Sequence, residues 1–130
     1  MGGQLLVDTD ILIDYLRGHP KAVRFVTESA DDIVVSAMSV AELFAGVRGE
    51  AQEPEQRALQ GFLELFAILP VTATVAKTGG IYRRDYGPSH GVGLADAIIA
   101  ATAVAAEATL QTLNVRHYPM FPGIEPAYRK

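Results

Sequence analysis

No cysteine occurs anywhere in the 130 residues. That absence excludes disulfides, thiolate zinc sites and cysteine nucleophiles together. It is compatible with a reducing cytoplasm. Long apolar runs are missing too: the longest, around residues 97–106, falls far short of the ~20 residues that a bilayer-spanning helix needs. The start, "MGGQLLVDTD", has neither the basic stretch nor the apolar run of a signal peptide. Gly2 could be read as a myristoylation site, but Leu6 stands where that signal has Ser or Thr. No membrane association is expected. Positive charge is also in short supply, with 11 Lys and Arg against 15 Asp and Glu and a net charge of −4. This argues against a nucleic-acid binder that works by bulk charge. Chemistry on a polyanion would need a metal ion to bring phosphate to an acidic pocket. There is no P-loop, no G-x-S-x-G and no H-E-x-x-H, and Gly91-Val92-Gly93 lacks the third glycine of a dinucleotide fingerprint.

What is present is a core. Hydrophobic residues make up 49% and charged residues 20% of the chain, enough apolar material for a single domain over 1–130. "QLLVD" reads as a buried strand over 4–8. A helix follows, capped by Thr9 or Asp10 and closed by Gly18, with Ile11, Leu12, Tyr15 and Leu16 on its apolar face and Asp10, Asp14 and Arg17 on its outer face. Pro20 opens a second helix through about Ser29. "DIVVS" is a second strand and "AMSVAELFAGV" a helix, with another helix from Pro54 to about Phe66. "AILPV" is a third strand, "TATVAKTGGIYRRDY" a helix weakened at Gly79 and Gly80, and "GPSHGVG" a loop. An alanine-rich helix, a fourth strand in "ATLQTLN" and an edge strand near Met120 complete the chain. Apolar strands alternating with helices predict an α/β domain of three layers, α/β/α, around a parallel sheet of four to five strands. Ligands of such sheets bind beyond the strand C-termini.

Three acids occupy that position. Asp8 closes the first strand, Glu42 follows the second strand within the first turns of its helix, and Asp96 lies in the first turn of the alanine-rich helix. Each has a structural alternative. Asp8 could cap a helix, Ser39 and Glu42 could form a capping box, and Asp96 could complement a helix dipole. Against these stands the setting. Ser39, Glu42 and Gly46 form one narrow polar stripe, and Asp96 is surrounded by Ala95, Ala97, Ile98 and Ile99. A partly buried carboxylate needs a partner, and no Lys or Arg sits at helical spacing in the first turns of either helix. A divalent cation fills that role, and oxygen-only ligands select Mg2+ or Mn2+. Small side chains at Ala97, Ala100, Ala101, Ala103 and Ala105 would let the helix approach closely enough to bring Asp96 to Asp8.

In these stretches the sequence resembles the PIN-domain ribonucleases, and specifically the VapC toxins of bacterial toxin–antitoxin pairs. "LLVDTDILIDYLRG", "VVSAMSVAELFAGV" and "GLADAIIAATAVAAEATLQTLNVRHYPMF" carry the likeness, which runs from about Leu5 to Phe121. The resemblance implies a PIN-like fold, Mg2+-dependent cleavage of RNA, a cognate VapB-like antitoxin lying over the site, and a homodimer. It implies that Asp8 and Asp96 bind the metal and that Glu42 completes the site. The fourth motif departs from the acidic version: Thr112, Asn114, His117 and Tyr118 form "T-x-N-x-x-H-Y", in which Asn114 would hold a water or orient a carboxylate. His117 reads as a surface imidazole. Arg17, Arg83, Arg84 and Arg116 are candidates for flanking phosphates. Phe62, Leu63, Leu65 and Phe66 are either core or dimer contacts. Phosphatases with a D-x-D start and receiver domains share the strand-end acid, but lack support in the later strands. The remaining rival is a PIN-fold module that binds RNA or protein without cutting.

Overall fold

The computed structural model describes residues 3–48 and 52–130. Met1 and Gly2, read above against a leader, lie outside them. Four strands form one parallel sheet in the order β3-β2-β1-β4: β1 Leu5–Val7, β2 Ile33–Ser36, β3 Ala67–Leu69 and β4 Thr109–Gln111. Alternation along the strands divides the core. Val7 and Val35 face one layer, with Ile11, Leu12, Val26, Leu59 and Phe62. Leu6 and Val34 face the other, with Ile99, Ala100, Ala103, Leu110 and Tyr118.

The first layer is built from α1 (Thr9–Leu16), α2 (Pro20–Ser29), α3 (Ala37–Ala45) and α4 (Gln52–Leu63). The second holds α5 (Ala73–His90) and α6 (Leu94–Ala106). The chain leaves β1 toward β2 on one side and returns at β4 on the other. Sheets of this kind hold their ligands where the strand order reverses, beyond the strand ends. Asp8 stands there, its backbone N–H bonded to Gln111 O at 2.9 Å.

Five local expectations need correcting. The cap of α1 is Asp8, neither Thr9 nor Asp10. The helix from Ala73 does not stop at Tyr86 but runs through Gly87 and Pro88 to His90. Proline here removes one N–H near the helix end, and the stop is Gly91 at φ 66°, whose N–H returns to Gly87 O. Gly79 is a point of close approach more than a weakness, since a Cβ there would meet Ile98 Cγ1 at 2.9 Å. No strand forms near Met120 among the described residues. Pro119 and Pro122 cannot donate, and turns bonded Phe121 N–H to Tyr118 O and Ile124 N–H to Phe121 O take its place. Of the alanines, 97, 100, 101 and 103 are buried as expected, while Ala105 is exposed. No described helix is long and apolar enough to cross a membrane.

Candidate active site

Asp8 is buried at the end of the central strand, 4% exposed. Its carboxylate accepts three bonds, one from the next residue and two from the far end of the chain. Thr9 N–H donates to Oδ1 at 2.8 Å, while Thr112 Oγ1 and Tyr118 Oη donate to Oδ2 at 2.7 and 2.8 Å. Thr112 follows β4 directly. Tyr118 follows the short 3-10 turn Val115–His117, and its ring is fully buried in the second core layer.

Glu42 and Asp96 converge on Asp8 from two other helices. The capping-box alternative for Glu42 fails, because Ser36 caps α3, accepting from Met38 N–H at 3.0 Å. Ser39 and Glu42 instead face α1: Thr9 Oγ1 lies 2.8 Å from Ser39 Oγ and 2.7 Å from Glu42 Oε1. Burial raises the Glu42 pKa; the Thr9 bond opposes this, and the charges of Asp8 and Asp96 reinforce it. Asp96 approaches Tyr118 Oη at 3.4 Å through Oδ1 and His117 Nδ1 at 3.3 Å through Oδ2. Its pKa is raised as well, by burial first and then by Asp8, against the opposing pull of His117 and Tyr118. The three acids therefore feel one another's charge.

The structure adds residues to this group that sequence spacing assigned elsewhere. Asp10 does not face outward. It accepts from Ile11 N–H at 2.8 Å and Leu113 N–H at 2.9 Å, with Thr112 Oγ1 3.3 Å away and its proton directed to Asp8, and burial together with Asp8 pushes its pKa up to about 6. His117 is no free surface imidazole but the neighbour of Asp96. Asn114, placed in the site by its motif, is exposed; its backbone N–H donates to Thr112 Oγ1 at 3.1 Å, and among the described residues its side chain makes no hydrogen bond. Thr112 and Tyr118 stood in the quoted motif with no role assigned. Their signal was polarity beside an apolar strand, which spacing alone does not aim at Asp8.

Among the described residues no three His, Asp or Glu side chains are drawn together as a ready-made cation shell. Hydroxyl groups stand between the acids: Thr9 joins α1 to Glu42, and Tyr118 lies between Asp8 and Asp96. Even so, the donor chemistry fits a hard divalent ion. All the donors are oxygens, all three acids share one field, and among the described residues none is bonded to Lys or Arg.

Two recesses flank the acids. One, about 530 Å³, is lined by Ile13, Leu16, Leu43, Val47 and Leu59 together with Arg17 and Glu42. The other is lined by Ser89, His90, Gly91, Arg116 and His117. Arg84 is tied to Asp85 at 2.8 Å, and the Arg83 guanidinium lies against Gly87. Of the candidate arginines, Arg17 and Arg116 line the recesses beside the acids.

Comparison with known proteins shows the family and the fold. The PIN-domain family profile matches residues 5–118. Ribonuclease VapC19 of Mycobacterium tuberculosis is 42% identical over 127 residues, covering 95% of this chain and 98% of its own. Ribonuclease VapC10 of the same species is 38% identical, covering 95% of this chain and 92% of its own. A toxin–antitoxin complex from Klebsiella pneumoniae superposes with a TM-score of 0.80 at 28% identity, over 98% of this chain and 100% of that one. VapBC2 from Rickettsia felis, bound to a DNA fragment from its promoter, gives 0.76 at 27% identity over 91% and 92%.

Proposed function

Because the chain belongs to the PIN-domain family, among its VapC ribonucleases, we propose that it is a metal-dependent endoribonuclease, the toxin of a toxin–antitoxin pair. One observation supports the metal above all. Asp8, Glu42 and Asp96 are brought together from three separate segments, burial and the charge of Asp8 raise the pKa of both Glu42 and Asp96, and among the described residues no Lys or Arg is bonded to any of the three. Asp8 and Asp96 would hold Mg2+ or Mn2+, with Glu42 completing the set. The bound cation would supply Lewis acidity at the phosphodiester and reverse the local sign of charge.

The chain's own residues prepare the site. Thr112 and Tyr118 hold Asp8, Thr9 holds Glu42 against α1, and His117 holds Asp96 at the mouth of the second recess. Arg116 in that recess would meet an RNA phosphate beside the scissile bond. The apolar recess between α1, α3 and α4 offers an antitoxin segment a seat reaching Glu42 and Arg17, so that occupying it also covers the acids. Of the four candidate dimer residues, Phe62 and Leu63 are core and Phe66 packs partly buried against it; Leu65, 71% exposed, is the one left for a second copy, which light scattering would detect. We infer a cytoplasmic location, where a toxin of this kind would meet its RNA.

The test compares antitoxin-free protein with Asp96→Asn on bulk RNA, in Mg2+ and in EDTA. Cleavage by the unmodified protein in Mg2+ alone is expected. Equal cleavage by both proteins, or none by either, would remove the catalytic assignment, and none by either would favour the non-catalytic RNA- or protein-binding module instead.

A further inference from the structure

We propose that Tyr118 is a positioning residue of the cleavage reaction, one that fixes Asp8 so that a single carboxylate oxygen, Oδ1, is offered to the cation. The inference rests on the reading of Asp8 and Asp96 as the cation-holding pair.

A carboxylate has about four lone-pair positions, two on each oxygen. On Asp8, Oδ2 receives two hydroxyl donors, Thr112 at 2.7 Å and Tyr118 at 2.8 Å, which fill it. Oδ1 receives only Thr9 N–H at 2.8 Å and keeps one position open. The donors on Oδ2 cannot drift away. Thr112 and Tyr118 are both 0% exposed, and the Tyr118 ring stacks on Phe121 with centroids 6.4 Å apart. The phenol has one proton to give, and 2.8 Å to Asp8 against 3.4 Å to Asp96 directs it to Asp8. Asp96 is left with a longer contact to Tyr118 and a partly exposed imidazole at 3.3 Å. The pair is therefore unequal: Asp8 is a fixed oxygen, and Asp96 is free to adjust to it. Outer donors of this kind typically change metal affinity about 10–100-fold when removed.

The test measures Mn2+ affinity by calorimetry, melting temperature in EDTA, and RNA cleavage across a Mn2+ titration, for Tyr118→Phe, Thr112→Val, Tyr128→Phe and Asp96→Asn. Tyr128 also donates to a carboxylate, Asp14, at 2.8 Å but outside the acid group, so its variant controls for the loss of a carboxylate-bound phenol hydroxyl. Tyr118→Phe keeps the ring and is expected to fold, to bind Mn2+ about tenfold more weakly, and to regain most of its cleavage at high Mn2+. A purely structural role would not give that recovery. Tyr128→Phe is expected to lower the melting temperature and leave Mn2+ affinity unchanged. Unchanged Mn2+ affinity in Tyr118→Phe, or a cleavage loss that Mn2+ does not recover, overturns the inference. Should Tyr118→Phe fail to fold, Thr112→Val decides it: weaker Mn2+ binding supports the fixed oxygen, and unchanged binding refutes it. If the unmodified protein binds no Mn2+, or Asp96→Asn binds it equally well, the cation reading itself fails, a separate result from failure of Tyr118 alone.

Discussion

Helix α1 carries a buried aspartate before its first residue and another in its last turn, and each accepts a tyrosine hydroxyl at 2.8 Å: Asp8 from Tyr118 and Asp14 from Tyr128. Their surroundings then diverge. Asp14 also meets Lys130 Nζ at 3.0 Å. Burial alone would raise its pKa, but the bonds from Tyr128 and Lys130 outweigh it, and the group is held below the ordinary carboxylate value. Around Asp8 the neighbours are acids, and those whose shifts are resolved, Asp10, Glu42 and Asp96, all move upward. The same pairing of acid and phenol is self-sufficient at one end of the helix and short of positive charge at the other. A buried acid supplied with a cation by its own chain is a fastening. A group of them without one is an invitation to an ion.

The sharpest way to break this comparison is to remove Asp14. Asp14→Leu strands Tyr128 and Lys130 and should lower unfolding stability by about 2 kcal/mol, measured in urea, while RNA cleavage per folded molecule stays unchanged. A loss of cleavage at full folding would mean that the two ends of the helix are not separate. A smaller effect separates them from the other side. Mg2+ at about ten times its dissociation constant should stabilise the protein by about 1.4 kcal/mol, read as a rise in melting temperature. Asp14→Leu should show the same rise and Asp96→Asn none. The smallest effect is that of pH. Because the native pKa of Asp14 is depressed, its contribution is complete above the unfolded carboxylate value near ~4 and is lost as pH falls through the lower native value. The stability difference between the unmodified protein and Asp14→Asn should therefore be flat at neutral pH and shrink under acid. The same curve without that decline would remove Asp14 from the fastening.

The order of strands and helices was legible because periodicity and punctuation are local. So were Asp8, Glu42 and Asp96, each marked by an acid at a strand end or a helix start. The orientation of Asp10 and Asp14 was not. At helical spacing they line up with Arg17 and look like a solvent face. What covers that face lies more than a hundred residues later: Leu113 reaches Asp10, while Tyr128 and Lys130 reach Asp14, with Ala127 N–H bonded to Thr112 O. No local pattern reports a cover supplied by the far end of the chain. The role of His117 was missed for the same reason, since the short turn that aims it at Asp96 leaves no periodicity to read.

The path of the chain also sets a schedule. Asp8 is made early, yet Thr112 and Tyr118, which hold it, and Asp96, which faces it, are all made late. While the protein is still being translated, its first ninety-five residues contain Asp8 and Glu42 but not Asp96. A growing polypeptide therefore lacks the complete acid group until synthesis is nearly finished.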